Sequence, residues 1–349
     1  MRLIYFVFIF LGVAFQAAAY TGCLVPGASE RLQNYCLQNA LSKGVVDYQQ
    51  LQLVDTRLRL QGYKNGLGVL GAKDVRKPKT YAVVQPYVGY EENINGGNPA
   101  KPIIFQFGVF DDPSLYRKSG LIYGLGIGFG GRYLYGEGKY VNYSLGNEFG
   151  YSPKHALSTT KSVGSLCSYN HIQGWWYVDA CTNASRTLKY LSGETHQNFS
   201  LTAARIVSGA NGSSREIKLG YNQYFSEIYV QRQLKFGIDS MFASGNFLGI
   251  DATFGEAIPG HLITRYALAG RATAHFGGKP ITITVSYKQS DGGNLLGVVR
   301  DEQNTSLLLS YPLWGTVSAS IGYTQTQSNV DYFDDAYPSF GLQLAGFQF

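Results

Sequence analysis

Ser168, Asn170 and His171 stand close together beside Cys167, and they are the residue types from which a serine hydrolase is assembled. Activation of a serine needs a base aligned with it in space and a partner that orients the base. Neighbours on an extended chain face different ways, so this stretch is not expected to be catalytic. His155, His196 and His261 fall in segments read as loops or turns, with no HxH or HExxH spacing to hold zinc. The run Gly124, Gly126, Gly128 and Gly130 has the look of a phosphate-cradling loop, but such a loop must open a helix. Here Tyr133, Tyr135 and Tyr140 carry on an extended pattern instead. No cofactor, metal or nucleotide site is expected.

The four cysteines fall in two local pairs, Cys23 with Cys36 and Cys167 with Cys181. Three connectivities are open to four cysteines. The sequence-local one is favoured, since each pair closes a short loop of about 15 residues, where a disulfide stabilises by about 3 kcal/mol. Lipid attachment through Cys23 is disfavoured because Tyr20 stands where a lipobox has an aliphatic residue. Trp175 and Trp176, beside Tyr177, read as anchors at a water–lipid interface rather than as a sugar platform.

The elements that must position these residues are strands. From about residue 81 onward successive side chains alternate in character with a period of two, as on a strand with unlike faces. Tyr266, Leu268, Gly270, Ala272, Ala274 and Phe276 share one parity, and Arg265, Ala267, Ala269, Arg271, Thr273 and His275 the other. Ile281, Ile283, Val285 and Tyr287 repeat the pattern against Thr282, Thr284, Ser286 and Lys288. So do Leu121, Tyr123, Leu125, Ile127 and Phe129 against the glycines, whose bare face implies a crowded interior. Strands are predicted near 81–91, 102–111, 119–130, 139–150, 198–208, 215–225, 227–241, 246–256, 262–276, 280–290, 303–311, 315–327 and 338–349. The stretch 159–187 is ambiguous and is expected to add an odd number. Residues 20–80 differ: Ser29 to Gln61 has helical spacing, followed by Gly62, Gly66, Gly68 and Gly71 and a basic group ending at Lys79.

Arg2, the apolar run from Leu3 to Ala14 and the small residues Ala17, Ala18 and Ala19 make residues 1–19 a secretory signal. That run is too short to span a bilayer as a helix, which takes about 20 residues. The chain carries 43 Gly, 27 Tyr and 20 Phe with only 15% charged residues, against about 25% in a soluble domain. Its mean hydropathy is −0.09, which suits a wall with one face on lipid and the other on water. Tyr87, Tyr90, Tyr123, Tyr133, Tyr135, Tyr140, Tyr143, Tyr311 and Tyr323 near segment ends fit interfacial girdles. The net charge of +6 is mostly scattered rather than clustered, so lipopolysaccharide or anionic solutes, not nucleic acid, are the expected counter-ions.

The chain stops on an aromatic, with Phe347 and Phe349 on one face of the last segment. This resembles the terminal strand of Gram-negative outer-membrane β-barrels, and the class pattern covers about 270 residues. Phe340, Leu342 and Leu344 have the opposite parity, which predicts a bulge near Ala345 or Gly346. The resemblance implies recognition of Phe347 and Phe349 by the barrel assembly machinery, and residence in the outer membrane among its lipids and lipopolysaccharide. The expected fold is an all-β membrane protein, a closed antiparallel transmembrane barrel of about fourteen strands, with twelve or sixteen open. Residues 1–19 are the signal, 20–80 a small helical disulfide-containing periplasmic or plug segment, and 81–349 the barrel. Short periplasmic turns are expected at 209–213, 243–246, 277–279 and 312–314, with longer outer loops at 291–303 and 329–337.

On that parity Glu216, Lys218, Gln231, Gln233, Lys235, Asp239, Asp251, Arg265, Arg271, His275 and Lys288 point inward. They are read as lining a pore for small polar or anionic solutes. The competing reading makes them neutralising pairs in a closed lumen, packed against the helical segment, and turns the chain into a structural or surface-interaction barrel. Polypeptide secretion is less well supported, because residues 20–79 are too few for a partner-binding domain.

Overall fold

The computed structural model describes residues 23–42, 52, 55–59, 61, 79–105, 108–209, 212–295, 297–314, 317–344, 347 and 348. The expected signal sequence and Phe349 lie outside them. Fourteen long strands follow one another: β1 (Lys79–Glu91), β2 (Gly120–Gly136), β3 (Lys139–Ser152), β4 (Leu157–Gln173), β5 (Trp176–Leu188), β6 (Gly193–Ser208) and β7 (Ser214–Ser226). After them come β8 (Val230–Met241), β9 (Phe247–Gly255), β10 (Ile263–Phe276), β11 (Lys279–Leu295), β12 (Val298–Trp314), β13 (Val317–Ser328) and β14 (Asp335–Leu344, resumed at Phe347–Gln348). Each pairs antiparallel with its chain neighbour, and β14 pairs back onto β1, so the sheet closes into a fourteen-stranded barrel. Closure gives every barrel strand a paired neighbour on both sides, which is what a bilayer core without water requires.

The seam carries the irregularity expected of the last strand. Tyr87 faces Gln343 and Val84 faces Phe347, so two residues of β1 oppose three of β14. One residue is therefore extra on β14, and residues 345 and 346, outside the described set, fall in that interval.

The outer parity of most of the long strands is apolar and uncovered. Leu121, Leu125, Ile127 and Phe129 on β2, Leu234, Phe236 and Ile238 on β8, and Phe340 and Leu342 on β14 are all exposed. Leu145, Leu201, Leu219, Ile250, Leu268, Leu307 and Ile321 continue the band around the circumference. Soluble surfaces rarely present an apolar patch beyond a few hundred Å², whereas a lipid-facing barrel wall requires one.

Two strand readings need correction, and they offset each other. Residues 102–111 form no barrel strand; Ile103–Phe105 and Gly108–Phe110 make a small separate hairpin. The ambiguous 159–187 supplies two strands, β4 and β5, not an odd number. At the mouth where β1 enters, the connections are short, as at 137–138, 174–175, 277–278 and between Gly209 and Ser213. At the other mouth 92–119 is the longest connection, while 291–303 is no loop, because β11 and β12 stay paired out to Leu295 and Val298. Strand pairing persists beyond the apolar band because water tolerates a ladder as well as lipid does.

Candidate functional site

The lumen face begins with glycine. On β2, Gly124, Gly128 and Gly130 point inward, and a Cβ on Gly124 would lie 2.1 Å from Cζ of Tyr87. Val83 and Tyr81 lie over Gly128 and Gly130 in the same way. The bare strand is thus a bed for inward side chains of β1. Tyr87 and Tyr140 therefore belong to the lumen and not to an interfacial girdle, since Tyr87 faces Gly124 and Tyr140 is buried against Tyr169 and Arg132.

All eleven inward-read residues lie on the lumen parity of β7 to β11, alternating with exposed apolar neighbours such as Ile217, Leu219, Leu234, Phe236 and Ile250. Most of the charges are paired. Lys218 Nζ lies 3.0 Å from Asp239 and 3.2 Å from Asp251, and Arg271 lies 4.0 Å from Asp239. Two of these pairs cross an intervening strand, and in each the residue between is glycine. Gly237 separates Lys218 from Asp251 on one hydrogen-bonded row, and Gly249 separates Asp239 from Arg271 on another. A Cβ at Gly237 would meet Asp251 Oδ1 at 2.4 Å, and one at Gly249 would meet Asp239 Oδ1 at 2.6 Å. Removing the side chain lets charges meet over two strand spacings, about 9.5 Å of wall.

Arg265 pairs with Asp291 at 3.2 Å and reaches the carbonyl of Gly255. Gln231 and Gln233 do structural work. Gln231 is buried and donates to the carbonyls of Glu256 and Thr264, while Gln233 donates to Gln231 and accepts from Asn222. His275 shares the inward parity of Thr273 near the short-turn mouth. Lys235 and Lys288 have no ion-pair partner among the described residues. They share one row of the wall, Lys235, Thr253, Ala267, Lys288, which then continues to Asn304.

Glu216 is fully buried, and its partner comes from the amino-terminal segment. Helix α1 (Glu30–Ser42) stands inside the barrel at the short-turn mouth. Ser29 caps it, accepting from the Leu32 amide at 3.2 Å while its hydroxyl donates to Glu216. Arg31 donates to Glu216 at 2.6 Å through Nε and to Asp179 at 2.8 Å through Nη1, with its guanidinium over the Tyr177 ring. Burial alone would lower the Arg31 guanidinium; the two carboxylates outweigh it and hold it above its ordinary value. The Cys23–Cys36 disulfide ties the approach to the helix, and Val25, Leu32 and Leu37 pack on Ala204, Ile206, Met241 and Phe247 of the wall. Cys23 thus has no free thiol for a lipid. Residues 52 and 55–59 are helical as well.

Trp175 packs edge-on against Tyr35 of α1, ring centres 4.5 Å apart, so it seals the helix rather than anchoring in an interface. Trp176 is exposed on the outer face with Arg205 over its ring. Cys167 and Cys181 face each other across β4 and β5 and are bonded. Ser168 is held on the outer face by Tyr135, whereas the His171 ring lies on the lumen parity against Tyr177 and bonds the Gly174 carbonyl, so the two side chains point to opposite faces of the wall. His155 and His261 sit in connections, but His196 lies in β6, hydrogen-bonded to Tyr224, because β6 starts before its apolar alternation does.

No family model and no curated protein matches the chain. Among solved structures it is similar to OccAB3 of Acinetobacter baumannii, with a TM-score of 0.42 and 8% identity over 79% of this chain and 100% of that one. For Pseudomonas aeruginosa OpdK, solved with vanillate, the TM-score is 0.42 and the identity 8%, over 78% of this chain and 99% of that one. OpdQ of the same organism gives 0.41 and 8%, over 78% and 97%.

Sequence reasoning missed Arg31, Asp179 and Asp291, and with them the balance of charge on this wall. A signal for the helix's landing site was available: Ala203, Ala204, Ile206 and Val207 are apolar on both parities of β6. A strand in contact with lipid alone has no need of an apolar inner face.

The far mouth is crossed by the 92–119 connection. Lys189 between β5 and β6 bonds Glu91 and the Asn93 carbonyl, the Leu191 amide donates to Asn95, and Arg117 pairs with Asp335 at the start of β14. The hydrogen bond to Asp335 holds Arg117 above its ordinary value. The connection is therefore fixed to the wall on both sides of its own hairpin.

Proposed function

We propose that the chain is an outer-membrane channel for small polar solutes with a preference for anions, its barrel set in lipid and lipopolysaccharide. The exposed apolar band around a polar lumen supports residence in a bilayer. Fourteen strands about 4.8 Å apart and tilted about 40° give a backbone radius of roughly 14 Å. Side chains then leave a lumen wide enough for hydrated solutes. Phe347 and Phe349 are proposed to serve recognition by the assembly machinery.

The observation that carries the anion preference is the pair Lys235 and Lys288. Every carboxylate on the inner face of β7 to β11 has a cationic partner, whereas these two lysines have none among the described residues. A low-dielectric wall focuses the field of such fixed charges into the lumen. The test is the reversal potential of reconstituted protein across a tenfold KCl gradient. Wild type should reverse toward the chloride potential, and Lys235→Glu with Lys288→Glu should move it toward potassium. Arg271 is a poorer choice for this test, because it is paired with Asp239 and packs on Gly27. Near 1 M salt, where the Debye length is about 3 Å, the difference should fade. An identical reversal potential in wild type and double variant at low salt would refute the reading.

A further inference from the structure

The amino-terminal segment touches walls that lie on opposite sides of the barrel. Glu30 pairs with Arg132 on β2 at 3.0 Å. Thr273 on β10 donates to the Pro26 carbonyl at 3.2 Å, and Gly27 lies against the Arg271 side chain. In a ring of fourteen, β2 and β10 are eight strands apart one way and six the other. Between these ends the segment contacts β5 through Arg31, β6 through Tyr35 and Ser208, and β7 through Arg31 and Ser29. A helix with its side chains is about 10–12 Å across, so a segment laid along a diameter obstructs the short-turn mouth.

We propose that residues 23–42 are a resident plug and that Arg31, held by Glu216 and Asp179, is the latch that holds the channel in a low-conductance state at this mouth. The inference rests on the channel reading above. The chemistry of the contact suits a latch more than a permanent joint. With the plug in place Glu216 is buried, and both its oxygens are used, one by Arg31 and one by Ser29. With the plug withdrawn, the same carboxylates would face lumen water and be hydrated, so the open state carries no buried unpaired charge. Paired and hydrated states of a carboxylate then differ modestly, which is the condition for a two-state element. Leu32 and Leu37 on the apolar patch of β6, β8 and β9 set the resting position. The Cys23–Cys36 bond makes the approach and the helix move as one piece.

The experiment uses the full chain folded in phospholipid vesicles and reads two quantities. Amide exchange of residues 30–42 reports docking, and conductance reports passage. Arg31→Ala should lower protection of the helix on the order of 100-fold with strand amides unchanged, and should raise the mean conductance at least about tenfold. Glu216→Gln reads the same contact from the wall should the first variant fold poorly. Helix protection unchanged in a folded variant would overturn the latch. A helix that exchanges freely while the bilayer stays silent would uphold the latch and overturn the channel reading instead.

Discussion

Phe236 sits at the middle of β8 on its outer face, 48% exposed, between Leu234 and Ile238, with the ring of Phe254 edge-on at 6.1 Å. If that face met water, Phe236→Arg would put a charge where charges are welcome. A substitution at such a surface position changes stability by about 0.5 kcal/mol or less. If the face meets hydrocarbon at mid-depth, arginine costs about 2–4 kcal/mol. Lys235→Gln, one residue away on the lumen parity, is the matched control and should change stability by about 0.5 kcal/mol or less, since no ion pair is lost. The assay is urea unfolding of the reconstituted protein, followed by tryptophan fluorescence and by the change in gel mobility on heating. A destabilisation of 2 kcal/mol or more for Phe236→Arg with a silent control fits the membrane barrel. Equal, small effects at both positions would refute the assignment of inner and outer faces.

Gly124→Val should destabilise by about 1–3 kcal/mol through overpacking against the Tyr87 ring, and Tyr87→Ala in the same chain should recover part of the loss in a double-mutant cycle. Additive losses would show that the ring does not rest on that glycine. Deleting Phe349 should lower the membrane-inserted fraction in cells without altering the unfolding of what inserts; normal insertion would place the assembly signal elsewhere.

How legible the fold was depended on what each outer face touches. In β10 the outer parity runs Tyr266, Leu268, Gly270, Ala272, Ala274, Phe276, and lipid contact makes the alternation plain. In β5 the outer residues Val178, Ala180, Thr182 and Ala184 are small and partly polar, so the period fades although the strand is only one residue shorter. Ile103, Ile104, Val109 and Phe110 misled in the other direction, being an apolar hairpin in the outer connection rather than part of the wall. The lumen parity followed from the strands, but the partners did not. Arg31 meets Asp179 across 148 residues and Glu216 across 185, a juxtaposition that only barrel closure around the helix creates. The unpaired state of Lys235 and Lys288 was equally invisible, because it depends on which acids the glycines at 237 and 249 let other bases reach.

The measurement closest to the central claim is the swelling of vesicles carrying the folded chain in isotonic solutions of small polar solutes. The Arg31→Ala chain should admit small anionic and neutral polar solutes faster than protein-free vesicles do, with wild type slower than the variant. Rates equal to those of protein-free vesicles, from protein that shows the gel mobility of a folded barrel, would contradict the account.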